Sequence, residues 1–140
     1  MAADNSKKFI LWFDEIGIED VPLVGGKNAS LGEMYQKLHS KGIKVPNGFA
    51  ITAYAYRYFL KYAGIEDEIR KILKNLDTHD ISNLQRKGRQ VRDVIRHAEF
   101  PPDLTQAIYT AYDKLAEEFG LAGTDNLDVA IRSSATAEDL

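Results

Sequence analysis

Cysteine is absent from the 140 residues, which excludes disulfides, thiolate metal sites and a cysteine nucleophile without fixing a compartment. Long apolar runs are missing too. The run near the N-terminus, Phe9 to Phe13, gives way to Asp14 and Glu15 and is too short for a signal sequence or a membrane span. Nor is there a basic excess. Asp and Glu number 21 against 18 Lys and Arg, a formal net charge of -3, and no long Lys/Arg run offers an electrostatic footprint for nucleic acid. No internal repeat, low-complexity tract or linker-like break in composition interrupts the chain. What remains, 44% hydrophobic and 28% charged, is enough for one compact domain with a real core. The expectation is a single cytoplasmic domain with no membrane and no nucleic-acid partner.

Periodicity places short strands among several helices. Phe9 to Phe13, bounded by polar residues, reads as a buried strand. A helix starts near Asn28 or Ser30, puts Leu31, Met34 and Leu38 on one face, and stops at Gly42 and Ile43. After the turn residues Pro46, Asn47 and Gly48, Phe49 to Thr52 reads as a second short strand. Thr52 then caps a helix carrying Tyr56, Phe59, Leu60 and Ala63 and ending at Gly64. Ile65, Ile69, Ile72, Leu73 and Leu76 continue at helical spacing; Ile81, Leu84, Val91, Ile95 and Ala98 mark a further helix. The basic residues of "RKGRQVRDVIRH" lie mostly around its other side and read as a solvated face. Pro101 and Pro102 open the last helix, with a stripe of Leu104, Ile108, Ala111, Tyr112, Leu115 and Phe119 stopped by Gly120. Leu127, Val129 and Ile131 alternate with Asp128, Ala130 and Arg132, the pattern of a strand with one buried face. The expected fold class is mixed, helix-rich α/β with a small sheet.

Two stretches carry candidate chemistry. In "VGGKNASLGEM", Gly25 and Gly26 allow backbone amides to approach a phosphate, Lys27 supplies compensating charge, and the helix start adds a favourable dipole. This is no Walker A loop, because Val21 stands where that pattern needs glycine and Asn28 where it needs Ser or Thr. A glycine turn with a solvated lysine fits the same residues. In "AIRSSATAED", the planar guanidinium of Arg132 can hold two phosphate oxygens, and Ser133, Ser134 and Thr136 supply donors in a loop at a strand end. The competing reading pairs Arg132 with Glu138 or Asp139 and uses the hydroxyls to cap a helix near Thr136.

Three blocks taken in order, "VGGKNASLGEM", "GIKVPNGFAITAYAYRYFL" and "VAIRSSATAEDL", resemble the opening of enzymes in the family that unites phosphoenolpyruvate synthases, pyruvate phosphate dikinases and rifampin phosphotransferases. They span nearly the whole chain, and the likeness is nearest to the synthase branch, with the rifampin enzymes sharing much of the pattern. The resemblance implies an ATP-grasp nucleotide-binding region in which Lys27 and Arg132 contact ATP, Gly25 and Gly26 shape the approach, and Ser133, Ser134 and Thr136 lie beside it. It also implies partners and cofactors beyond this stretch: a phosphohistidine on a swivelling domain, a pyruvate-binding barrel, and magnesium held by acidic residues outside the fragment. On that basis residues 1 to 140 form a single N-terminal fragment, inactive alone. An edge left by missing neighbouring strands favours a homodimer.

His39, His79 and His97 lie far apart and form no ligand pair at helical spacing. The tyrosines and phenylalanines fit helix faces better than base stacking. Two rival classes stand beside this one: an interaction module built on the helices from Ile65 to Phe119, using neither Lys27 nor Arg132, and a phosphate-ligand sensor without chemistry.

Overall fold

Two short strands pair at the start of the architecture. In the computed structural model, which describes residues 4–123 and 127–137, β1 (Ile10–Trp12) and β2 (Phe49–Ile51) run antiparallel with Ile10 opposite Ile51, Leu11 opposite Ala50 and Trp12 opposite Phe49. Successive strand side chains point to opposite faces, so Leu11 and Ala50 share one face and are buried, at 0% and 2% exposure. They join Ile16, Val24 and Ala29 in a core cluster, with Phe13, Val21 and Leu23 packed against it.

β1 stops short of Phe13 because Glu15 folds the chain back. Its carboxylate accepts the Trp12 amide at 2.9 Å, and Phe13–Glu15 forms a 3-10 turn. Lys8 holds the same carboxylate at 2.9 Å. A second 3-10 turn, Ile18–Asp20, leads into α1 (Val21–Val24) and α2 (Gly26–His39). These turns pack directly on α2. Ile16, fully buried, lies so close to Gly32 that a Cβ there would sit 2.6 Å from its own Cβ, while Gln36 donates to the Ile16 carbonyl at 2.6 Å. Gly42, at φ 79°, ends α2 as expected, with the Ile43 amide returning to the Leu38 carbonyl at 3.1 Å.

Thr52 joins sheet to helix. Its hydroxyl donates to the Lys8 carbonyl at 2.6 Å and accepts the Ala55 amide at 3.1 Å, capping α3 (Ala53–Ala63). Then come α4 (Glu66–Leu73), α5 (Ile81–His97), capped by the Asp80 carboxylate on the Asn83 amide, and α6 (Pro102–Glu118). The helix expected to reach Leu76 ends at Leu73, where the chain turns through Asn75 at φ 57°. Packing divides the chain into two compact units, Met1–Tyr56 with Asp103–Leu140, and Arg57–Pro102.

The strand expected over 127–132 is not part of the sheet. Residues 127–135 run without ladder partners among the described residues, and Ile131, expected on a buried face, is 93% exposed. Alternation can bury one face only when a neighbouring strand or helix covers it. Instead the segment is tethered at its start by the Tyr112 hydroxyl, which donates to the Leu127 carbonyl at 2.9 Å. The mixed, helix-rich class with a small sheet holds, the sheet having two strands. No described helix is long and apolar enough to cross a membrane.

Candidate functional site

The lysine of the glycine-rich stretch stands in the first turn of α2 because of Gly25. That residue closes α1 by donating its amide to the Val21 carbonyl at 2.8 Å, and its φ of 81° with ψ of 162° is a conformation open essentially to glycine. The chain turns there and α2 begins at Gly26, ahead of the start expected at Asn28 or Ser30. Asn28 is not the cap. Its side-chain amide donates back to the Val24 carbonyl at 3.0 Å and ties α2 to the end of α1.

A helix leaves its first N–H groups without partners inside the helix. In α2 two of these, on Gly26 and Asn28, are satisfied from far along the chain. Ser134 Oγ, 106 residues away, accepts the Asn28 amide at 3.4 Å, and the Ala135 carbonyl accepts the Gly26 amide at 3.2 Å. Approach is close enough that a Cβ on Gly25 would lie 2.3 Å from Ser134 Oγ and within 2.9 Å of the Ala135 backbone. The hydroxyl-rich loop therefore does cap a helix, and that helix is α2; one beginning near Thr136 would run into 138–140, outside the described residues.

Of the expected site residues, Gly25, Gly26 and Ser134 meet at this junction. Lys27, Arg132, Ser133 and Thr136 occupy exposed positions on the two segments that meet, with Thr136 in a turn. Glu138 and Asp139, the alternative partners for Arg132, lie outside the described residues. Sequence reasoning missed the Ala135 carbonyl and the Asn28 backbone and side-chain bonds. The doubled glycine was the available signal, since glycines mark close backbone approach, but nothing local says what approaches.

Electrostatics along α2 are set by neighbours on its own surface. Glu33 is held below the usual carboxylate range by its hydrogen-bonded ion pair with Lys37 and by the Ile18 amide at 3.2 Å, and Lys37 is raised by the same pair. Two shallow hollows, about 500 and 620 Å³, belong to the second unit and are lined by residues such as Arg70 and Lys74 or Tyr62 and His97, none of them an expected site residue. Among the described residues no group of three or more His, Asp or Glu side chains could hold a metal ion. His39 stacks on Tyr35 at 5.1 Å, and His97 Nδ1 meets the Asp93 carbonyl at 2.7 Å.

A helix start carrying Lys27 is thus met by the loop that follows Arg132, more than a hundred residues further along the chain. Residues 21–140 match the family described as the pyruvate phosphate dikinase AMP/ATP-binding domain, and the chain belongs to that family. Its similar relatives are named phosphoenolpyruvate synthase. That of Aquifex aeolicus (strain VF5) is 54% identical over 140 residues, covering 100% of this chain and 16% of the relative. The Synechocystis sp. (strain ATCC 27184 / PCC 6803 / Kazusa) protein is 52% identical over 139 residues, covering 99% and 17%. The Escherichia coli (strain K12) protein is 43% identical over 140 residues, covering 100% and 17%. The chain thus spans about one sixth of the length of these curated relatives.

Proposed function

We propose that this chain is the N-terminal ATP-binding portion of a phosphoenolpyruvate synthase, an enzyme that converts pyruvate, ATP and water to phosphoenolpyruvate, AMP and phosphate through a phosphohistidine. The observation that carries this reading is the identity of 43 to 54% with synthases over all 140 residues. Residues 1–140 are then one N-terminal fragment of an ATP-grasp domain. The amides of Gly26 and Asn28 are already engaged, so contact with the triphosphate falls to the Lys27 ammonium and the Arg132 guanidinium, with Ser133 and Thr136 beside them. Charge compensation and positioning are the main catalytic contributions in phosphoryl transfer, and two cations held on one junction supply the first. Magnesium enters this reading through ligands outside the fragment, as do pyruvate and the phosphohistidine domain. The enzyme works in the cytoplasm, and a sheet of two strands among the described residues leaves an edge that suits a homodimer.

The test uses the longer protein that contains this chain. Lys27→Ala should abolish most of the ATP half-reaction while leaving phosphoryl exchange between phosphoenolpyruvate and the carrier histidine largely intact. Equal losses in both half-reactions would remove Lys27 from the ATP site. The 140-residue chain by itself should form no phosphoenolpyruvate and should bind ATP only at about millimolar levels, because part of the cleft is missing. Micromolar binding in calorimetry would contradict that.

A further inference from the structure

We propose that Ser134 is a positioning residue: it and the Ala135 carbonyl clamp the arginine-bearing loop onto the first turn of α2, and this clamp sets where Lys27 and Arg132 stand relative to one another. The inference rests on the reading of both cations as ATP ligands, and it moves Ser134 from a ligand to a support.

The geometry is specific. The two backbone amides that flank Lys27, those of Gly26 and Asn28, are the ones taken by Ala135 and Ser134. Lys27 is therefore bracketed by the clamp on both sides. Arg132 lies two residues before Ser134, a span of at most about 7 Å of extended chain. Each cation is thus tied within two residues of the same junction, although more than a hundred residues separate them in sequence. Two further features hold the clamp rigid. Asn28 is anchored to the Val24 carbonyl, so the amide offered to Ser134 cannot drift with the helix end. Gly25 has no side chain where a Cβ would lie 2.3 Å from Ser134 Oγ, so the approach depends on glycine there. The Ser134 hydroxyl, already an acceptor at 3.4 Å from the Asn28 nitrogen and half-buried, faces α2 and the Gly25 backbone. By contrast Ser133 and Arg132, its neighbours, are exposed.

A residue that positions another should matter only while that other is present. The experiment measures ATP affinity of the full-length protein by calorimetry for wild type, Ser134→Ala, Arg132→Ala and the double variant, with melting temperature recorded for each. Arg132→Ala should weaken ATP by about tenfold or more, the loss expected for a charge-assisted bond. Ser134→Ala should weaken it by about three- to tenfold, the loss of one hydrogen bond's worth of order. In the Ser134→Ala background, Arg132→Ala should cost distinctly less than in wild type, because an unclamped arginine contributes less. Additive losses, or Ser134→Ala leaving affinity unchanged while Arg132→Ala lowers it, overturn the clamp and leave the nucleotide reading standing. No effect of Arg132→Ala in a protein that binds ATP would instead sink that reading. A purely structural Ser134 would lower the melting temperature and leave the arginine's contribution unaltered.

Discussion

Substituting alanine for Gly25 perturbs the junction from the opposite side, and its cost can be worked from two terms. Gly25 sits at φ 81° and ψ 162°, a region where a side chain costs about 1 to 3 kcal/mol in backbone strain alone. The added Cβ would also lie 2.3 Å from Ser134 Oγ and 2.8 Å from the Ala135 nitrogen, so residues 134 and 135 must retreat. Their withdrawal breaks the bonds to Asn28 and Gly26, at about 0.5 to 1.5 kcal/mol each. Together the loss is about 2 to 6 kcal/mol, a large share of the about 5 to 15 kcal/mol that holds a typical domain folded. Urea unfolding followed by circular dichroism should then show the midpoint falling by roughly 1 to 3 M. Because both substitutions remove the same Ser134 bond, Gly25→Ala and Ser134→Ala should combine to less than the sum of their separate effects. A midpoint within about 0.3 M of wild type, or strict additivity, would refute the junction as described.

Other consequences follow from single residues. Thr52→Ala removes a helix cap and strands the Lys8 carbonyl, so it should cost about 2 to 4 kcal/mol in urea titration, with Thr52→Ser well below that; equal losses would mean that the hydroxyl is not the operative group. Burial pushes the Glu15 carboxyl up, but the Trp12 amide and Lys8 together outweigh it and hold it below the ordinary value of 4.5. A depressed carboxylate stabilises the fold above its unfolded pKa and loses that contribution as pH falls through its folded one. The advantage of wild type over Glu15→Gln should therefore be full near neutrality and shrink as pH falls below the ordinary value of 4.5 toward the lower folded one; a gap that widens toward acid would reverse the assignment. Ile131→Ser, at a position 93% exposed, should leave the stability of this chain within about 0.5 kcal/mol of wild type, and a loss several times larger would place Ile131 in a core.

Helix content was legible because capping and periodicity are local. Thr52 advertises its helix start, and Gly42, Gly64 and Gly120 mark helix ends, each glycine with its amide returning to the preceding turn. Boundaries went wrong where a distant or unusual contact intervened. Glu15 reaches back to Trp12 and trims β1; Gly25 starts α2 early; Asn75 cuts α4 short of Leu76. The third strand failed for a different reason. Leu127, Val129 and Ile131 alternate as a strand should, but alternation states only that one side is apolar, not that anything covers it.

The candidate site divides along the same line. Residue chemistry was readable from order alone: a lysine behind two glycines at a helix start, and an arginine ahead of a hydroxyl-rich loop, both suited to phosphate. That the two stretches touch, that Ser134 and Ala135 occupy the amides on either side of Lys27, and that Asn28 spends its side chain on α1, only the tertiary structure decided. Helix starts and turns are written by neighbours a few residues apart, whereas a contact across 106 residues is selected by how the whole unit packs, and no local pattern encodes its partner.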